Sequence, residues 1–384
     1  MGDVLKSWFV VVPDREMAPE LVLRLRSYAW RVVSYPSGRP WLLGCWPEGQ
    51  VVLAAAGEAS LAIVGTCSLS TAELAARLKG VRSLADVETT VRGIAGSFHV
   101  IASVGGRCYV RGSASGARRV YRTTIDGVTV CADRARTLAW LIGAEVDTGQ
   151  LAARLAAPAP PHPLAGGAMW RGVHAVAPTQ ALHLERDGSY RAVTWWQAPP
   201  AELPLAEGAR ALRGALRDAV AVRVRPGEVL GADLSGGMDS TSVCFLAAEA
   251  GARLVTATLH WIDPGNEDHA YAQYAADHLP GIQRLVYAAA ELPACFTGLG
   301  MRQDPADQPS AVGRDRAQRQ QVADAMRARG ALRRLCGHGG DHVVQPPKLY
   351  VHNLLRRRPW LALRHTTGWR ARSRWGLGAT ARLL

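Results

Sequence analysis

The stretch VLGADLSGGMDSTSVCFLAAEA, from Val229 to Ala250, joins an apolar strand to a helix through a glycine-rich turn. At such a junction, the free backbone N–H groups and the dipole of the helix favour an anion. Gly236 and Gly237 let the backbone approach an anion through turns that a Cβ would forbid. Ser235 and Ser240 add hydroxyl donors. The stretch therefore predicts a phosphate-binding loop.

An acid inside this loop indicates a metal ion. Asp239 would repel a phosphate, unless Mg²⁺ bridges the carboxylate and the phosphate oxygens. The chain contains no G-x-x-x-x-G-K-[ST], so the loop is not a Walker A loop. A second turn, Gly337-His338-Gly339-Gly340-Asp341-His342, also places glycines and an acid after a predicted strand. Alone this second turn is equally compatible with a structural role, but together the two turns predict that Asp239 and Asp341 share Mg²⁺ bound to a nucleotide.

Beyond residue 200 the hydrophobic pattern alternates between strands and helices. This alternation predicts an α/β domain with a parallel sheet, helices on both faces, and ligands beyond the carboxyl ends of the strands. The predicted strands are 229–234, 254–259, 284–286 and 331–336, and the predicted helices are 206–220, 241–250, 267–279 and 318–329.

Before residue 200 short strand-like runs dominate. A capping box at Ser70–Glu73 predicts the start of a helix, and a second helix is predicted from Arg134. The proline- and glycine-rich stretch 156–167 predicts an extended connector, and 197–204 predicts a second break. We therefore expect one domain over 1–200 and another over 201–384. The predicted strands of the first domain are 8–12, 50–55, 61–65, 98–104 and 128–132.

The composition is that of a globular protein, with 48% hydrophobic and 20% charged residues. No segment offers the roughly 20 consecutive apolar residues of a membrane span, and the start lacks the pattern of a signal peptide. We therefore expect a cytoplasmic protein without a membrane span. The seven cysteines include no C-x-x-C pair, so we expect reduced thiols in the core.

The net charge of +13 is concentrated near the end of the chain, where eight arginines and no acid follow Asp341. A basic segment is compatible with nucleic acid or an anionic membrane surface. The chain uses 42 arginines against three lysines, however, which indicates a general bias in composition. We therefore expect no nucleic-acid partner.

The turn at Ser235–Ser240 resembles the SGGxDS loop of the PP-loop ATP pyrophosphatases, and its pairing with Gly337–His342 resembles the asparagine synthetase B superfamily. The resemblance implies an N-terminal Ntn-hydrolase-like αββα sandwich, a degenerate glutaminase, followed by a PP-loop synthetase domain. It further implies ATP bound through Ser235–Ser240, adenine contacts near Leu234, Leu259 and Gly337, and Mg²⁺ on Asp239 and Asp341. The other segments similar to this superfamily are 93–102, 169–184, 267–279 and 307–309.

Three departures from the superfamily pattern bear on function. Gly2 stands where glutamine-dependent members have a nucleophilic cysteine, so we expect no release of ammonia from glutamine. His338 and His342 stand where asparagine synthetases have glutamates, and we expect His338 to accept a proton from an attacking amine; a neutral turn histidine is the alternative. Lys348 does not correspond to the downstream catalytic lysine of the superfamily, so we expect the C-terminal part to be incomplete.

These features most resemble the lasso peptide macrocyclases. The resemblance implies adenylation of an Asp or Glu side chain of a precursor peptide, then attack by the N-terminal amine of that peptide to close an isopeptide ring. It also implies a leader peptidase and a leader-binding protein as partners.

Three alternatives remain open at this stage. The first is an asparagine synthetase- or β-lactam synthetase-like enzyme that uses no glutamine. The second is an inactive scaffold that binds the precursor peptide. The third is a PP-loop tRNA-modifying enzyme, for which the chain lacks an obvious cysteine pair.

Overall fold

The structure is a computed structural model. It describes residues 7–157, 160, 164–200, 202–225, 227–260, 263, 265–279, 281–300, 306–345 and 350–381. Gly2 and Lys348 lie outside the described residues. Contacts group the chain into unit 1 (Met1–Arg225 with Pro293–Gln321) and unit 2 (Pro226–Leu292 with Val322–Leu384). The domain boundary at residue 200 stays a prediction.

The elements are numbered in chain order. The strands are β1 (Trp8–Val11), β2 (Arg31–Ser34), β3 (Pro40–Cys45), β4 (Val51–Ala56), β5 (Ala59–Cys67), β6 (Gly96–Val104), β7 (Arg107–Arg111), β8 (Tyr121–Ile125), β9 (Val128–Ala132), β10 (His174–Ala175), β11 (Gln180–Leu184), β12 (Tyr190–Thr194), β13 (Val229–Asp233), β14 (Arg253–His260), β15 (Gln283–Ala288) and β16 (Arg334–Leu335). The helices are α1 (Pro19–Tyr28), α2 (Thr71–Leu78), α3 (Val87–Val91), α4 (Ala135–Ile142), α5 (Thr148–Ala156), α6 (Leu205–Ala221), α7 (Met238–Glu249), α8 (Asp268–Asp277), α9 (Arg316–Arg327), α10 (Gly340–Val344), α11 (Tyr350–Arg357), α12 (Pro359–Ser373) and α13 (Leu377–Ala381).

Unit 1 is built on two antiparallel sheets, and the alternation of apolar side chains along their strands assigns each face a partner. Sheet 1 has the order β10-β8-β9-β1-β3-β2, and sheet 2 has the order β12-β11-β7-β6-β5-β4. Val11 of β1 and Ile101 of β6 share the cluster between the two sheets. The preceding residues, Val10 and Val100, face the outer helices instead.

Helices cover both outer faces. Leu25 of α1 and Leu138 of α4 pack against sheet 1, whereas Leu74 of α2 and Val91 of α3 pack against sheet 2. The layers are therefore helix, sheet, sheet, helix, which confirms the predicted αββα sandwich. The capping box is also present, because the Ser70 hydroxyl accepts a hydrogen bond from the Glu73 N–H and the Glu73 carboxylate accepts one from the Ser70 N–H.

Unit 2 contains a parallel sheet, as predicted, and its strand order is β15-β14-β13-β16. β13 pairs with β14 over five positions and with β16 over two, Gly231 opposite Arg334 and Ala232 opposite Leu335. Val322 and Met326 of α9 cover the apolar side chains of β14 and β15. The α/β fold class is thus confirmed in both units.

The cysteines differ in part from the expectation of core thiols. All seven are free; Cys45, Cys108, Cys131 and Cys244 are buried, as expected, but Cys295 and Cys336 are exposed. Among the described helices, none combines the length and the hydropathy that crossing a bilayer demands.

The packing of α2 on sheet 2 yields a stability prediction. Replacing the fully buried Leu74 by alanine removes apolar contacts and leaves a cavity, so it should lower the free energy of unfolding by about 2–5 kcal/mol. Leu155→Ala in α5 is the control, because this leucine is 68% exposed and its truncation should change stability by less than about 0.5 kcal/mol. Urea denaturation followed by circular dichroism measures both; equal shifts would contradict the assigned packing.

Candidate active site

The order of strands in unit 2 marks where a ligand would bind. β13 is followed along the chain by β14 on one side, while β16 lies on its other side. Open α/β sheets bind ligands beyond the carboxyl ends of the strands at such a switch point. The segment 234–240 follows β13 and the segment 336–341 follows β16, so both predicted loops lie at this edge.

Ser240 closes the first loop. Its side chain is buried; the hydroxyl oxygen accepts a hydrogen bond from the Ser235 N–H at 3.1 Å, and the hydroxyl hydrogen is donated to the Gly237 carbonyl at 3.2 Å. The Ser235 hydroxyl lies 2.8 Å from the Ser240 hydroxyl. These bonds allow α7 to begin at Met238, three residues before the predicted start. Asp239 therefore lies in the first helical turn, where backbone N–H groups have no acceptor within the helix.

The two glycines of this loop have different roles. Gly236 has φ +88°, and a Cβ there would overlap the Asp268 carbonyl oxygen at the start of α8. Gly236 is thus required by the packing of the protein itself. Gly237 has an ordinary φ of −72°, and a Cβ there would meet only the Ser235 hydroxyl oxygen, at 3.6 Å. The space beside Gly237 is therefore the part of the loop that an anion could approach.

The second loop contacts the first one directly. A Cβ on Gly337 would lie 2.6 Å from the Ser240 amide nitrogen, and a Cβ on Gly340 would overlap the Asp239 carboxylate. The Asp239 side chain therefore lies against the backbone that precedes Asp341. The structure thus brings together two segments whose acids are 102 positions apart in the chain.

The acids at this contact have the donor chemistry of a Mg²⁺ site, because Mg²⁺ takes carboxylate oxygens and keeps several waters. Asp239 is partly exposed and Asp341 is exposed, so both are accessible to a solvated ion. The Asp341 Oδ1 accepts a hydrogen bond from the Gln345 side chain at 2.6 Å. These two residues fit the predicted ion, and their sharing of it stays a prediction.

The predicted adenine contacts lie at the same edge of the sheet. Leu234 is fully buried, its N–H donates to the Ala257 carbonyl, and its carbonyl accepts from the Thr258 hydroxyl at 2.8 Å. Leu259 is partly exposed near the end of β14, and Gly337 follows β16 closely. The side chain of Leu234 thus belongs to the core, and the adenine role of these three residues stays a prediction.

The two predicted histidines are exposed. His338 lies in the second loop and His342 lies in α10. An ion pair that the sequence does not predict lies close to His338, whose ring nitrogen is within 4.8 Å of an Asp233 carboxylate oxygen. In this pair the Arg334 Nε donates to the Asp233 Oδ1 at 2.7 Å. The register of β13 against β16 places Arg334 and Asp233 together. This register cannot be read from the sequence, because local patterns do not show which residues of two distant strands pair.

The Cys244 thiol of α7 is unsuited to nucleophilic chemistry. Burial raises the pKa of Cys244 to about 12, and its Sγ donates to the Asp233 carbonyl at 3.3 Å. The thiol therefore remains protonated at neutral pH and serves as a core residue.

Other predicted site segments belong to unit 1. The Asp307 carboxylate accepts from the Arg136 N–H at 3.1 Å, and the Gln308 side chain accepts from the buried Arg154 at 3.0 Å. A cavity of about 580 Å³ in the same unit is lined by Ser97, Arg111 and Trp195, among others. The Arg111 guanidinium is committed to Glu88 and the Gly112 carbonyl, so it offers no free charge to a ligand.

The role of Ser240 can be tested without a ligand. Ser240→Ala leaves the Ser235 N–H without its acceptor and should cost about 1–3 kcal/mol of local stability. Hydrogen exchange at the amides of 235–239 should accelerate. Ser242→Ala is the matched control, because Ser242 is exposed on the same helix. Unchanged exchange in Ser240→Ala would show that this hydroxyl does not hold the loop.

None of the curated proteins matches this chain. Among solved structures, a glutamine phosphoribosylpyrophosphate amidotransferase from B. subtilis complexed with ADP and GMP is 11% identical with a TM-score of 0.31, covering 86% of this chain and 84% of that one. A glutamine-dependent NAD⁺ synthetase from Acinetobacter baumannii with ADP is 21% identical with a TM-score of 0.23, covering 43% and 31%.

The fold assignment rests on the sheet topology. The match to a family model is more informative, because it includes both loops. Residues 211–383 match the family described as asparagine synthase. This part of the chain is therefore asparagine synthase-like.

Proposed function

We propose that the chain is an ATP-dependent ligase that forms an amide through an acyl-adenylate. The observation that carries the proposal is the contact of the Ser235–Ser240 loop with the Gly337–Asp341 loop, at the switch point of a parallel sheet. The family match over 211–383 supports the same reaction class.

The residues of the first loop would hold the triphosphate. The amino end of α7 would supply N–H donors to phosphate oxygens, and the Ser235 hydroxyl would turn from the Ser240 oxygen to donate to a phosphate oxygen. Asp239 and Asp341 would hold Mg²⁺, which neutralises charge on the departing pyrophosphate. The amino end of the helix is preorganised by the Ser240 hydrogen bonds, so it needs no rearrangement when the nucleotide binds.

The proposed reaction has two steps. A substrate carboxylate oxygen attacks the α-phosphorus of ATP, and the bond from that phosphorus to pyrophosphate breaks. An amine then attacks the acyl carbon, the bond from that carbon to AMP breaks, and the nitrogen loses a proton. His338 is exposed beside the loop, and we propose that its imidazole accepts this proton.

We propose a ribosomal precursor peptide as the substrate, with an Asp or Glu side chain as the acid and the N-terminal amine of the peptide as the nucleophile. An intramolecular attack of this kind gains from proximity, since the folded peptide holds both groups together. The absence of acids after Asp341 supports an acidic peptide, because eight arginines would attract it. A leader peptidase and a leader-binding protein are the proposed partners.

A free amino acid is the second candidate substrate, favoured by the family description of asparagine synthase. Exchange of labelled pyrophosphate into ATP distinguishes the two candidate substrates. It measures the adenylation step by itself, for whichever carboxylic acid is added. Exchange with an acid-containing precursor peptide supports the first candidate. Exchange with free aspartate and none with the peptide would exclude it.

The role of Asp239 yields a prediction. Asp239→Asn replaces a negatively charged carboxylate ligand of the proposed Mg²⁺ by a neutral amide. Peptide-dependent pyrophosphate exchange should therefore fall by roughly 10²–10³-fold. Glu249→Gln, an exposed charge change at the other end of α7, is the control and should exchange at the parent rate. If peptide output were unaltered in Asp239→Asn, the chain would instead be a scaffold without catalytic function.

The role of His338 yields a separate prediction. His338→Ala should lower ring formation by about 10²–10⁴-fold while pyrophosphate exchange continues, because the proton is lost only in the second step. Mass spectrometry of the peptide measures ring closure through the loss of one water. A parallel fall in exchange would show that His338 acts before the amine attacks.

A further inference from the structure

A second donor set lies at the same edge of the sheet. One ligand atom from each of Asp233, Cys336 and His338 lies within 4.8 Å of the other two. The register explains this, since Asp233 and Cys336 are the next residues after the paired Ala232 and Leu335. In a parallel sheet such neighbours extend from the same face. His338 follows two positions after Cys336, in the loop between β16 and α10.

Arg334 fixes the carboxylate of this cluster. It is two positions before Cys336, and its guanidinium binds Asp233. Gly231, opposite Arg334 in the register, has no side chain to compete for the space. Within the described part of the chain, both guanidinium contacts go to the Asp233 Oδ1, so Oδ2 is left for a cation.

We propose that Asp233, Cys336 and His338 form a site for a thiophilic divalent cation, with Zn²⁺ as the best-fitting ion. One sulfur, one nitrogen and one oxygen donor make a three-ligand set that leaves a fourth tetrahedral position for water. Mg²⁺ demands oxygen donors in octahedral geometry, so the cluster selects against the ion proposed for Asp239 and Asp341. Binding replaces the thiol proton of Cys336, which is released to solvent.

The separation of the donor atoms suits this ion. Zn²⁺ binds at about 2.0–2.3 Å from each ligand, which places tetrahedral ligands roughly 3.3–3.8 Å apart. Cys336 and His338 are exposed, so small rotations of their side chains close the remaining gap. Arg334 holds the third ligand in place, which reduces the entropy lost on binding.

Occupation of this site would regulate the ligase, and this consequence rests on the proposed function. A cation on the His338 ring nitrogen takes the lone pair that would accept the proton of the amine. Zn²⁺ should therefore inhibit ring closure and leave pyrophosphate exchange intact. Metal binding itself is measured without any turnover, so its failure is distinguishable from a failure of the proposed ligase activity.

Cobalt(II) is the probe, because it replaces Zn²⁺ and is visible by absorption. The full chain titrated with Co²⁺ should show one equivalent of tetrahedral d–d absorption together with a thiolate-to-cobalt charge-transfer band. Zn²⁺ should bleach both signals, and a hundredfold excess of Mg²⁺ should leave them unchanged. Cys336→Ser should abolish the charge-transfer band, and His338→Ala should weaken Co²⁺ binding at least tenfold.

Cys295→Ser is the matched control, since Cys295 is the other exposed thiol among the described residues. This variant should bind Co²⁺ like the parent. The proposal is overturned if the parent shows no charge-transfer band, if Cys336→Ser retains the band, or if Cys295→Ser loses it. Thermal unfolding of each variant confirms that the exposed substitutions leave the fold intact.

Discussion

The structure of the proposed site depends on the parallel pairing of β16 with β13. The pairing comprises only Gly231 with Arg334 and Ala232 with Leu335. These two positions nevertheless bring two loops that are far apart in sequence to one edge of the sheet. Contacts of Gly337 and Gly340 with the backbone and side chain of Asp239 then complete the junction. A displacement of β16 would separate the two acids, because β16 leads directly into the loop that carries Asp341.

The same pairing explains why one sheet edge presents two kinds of chemistry. Beyond β13 the chain turns into the Ser235–Ser240 loop and the amino end of α7, which suit oxygen anions and hard metal ions. On the strand itself, Asp233 faces the softer donors Cys336 and His338. His338 thus connects the two proposals, since it cannot bind a cation and accept a proton at the same ring nitrogen.

Local signals made the first loop predictable from sequence, because glycines, serines and an acid between a strand and a helix have few other structural explanations. The start of α7 was missed by three residues, since the hydrogen bonds of Ser240 that set it are not a sequence pattern. The αββα layers followed from the family resemblance rather than from periodicity.

The Asp233–Arg334 pair was not predictable, because it depends on strand register. Helix α5 was not predicted, although its start has a sequence signal. Asp147 precedes the helix, and its side chain accepts a hydrogen bond from the Gln150 N–H.

A double-mutant cycle on the two acids tests the central claim most directly. Calorimetry would measure the affinity for magnesium with a non-hydrolysable ATP analogue in the parent, Asp239→Asn, Asp341→Asn and the double variant. If both carboxylates hold one ion, each single change weakens magnesium binding. The loss of affinity in the double variant is then much smaller than the product of the two single losses. If the two effects multiply as independent sites do, the shared ion does not exist and the account is contradicted.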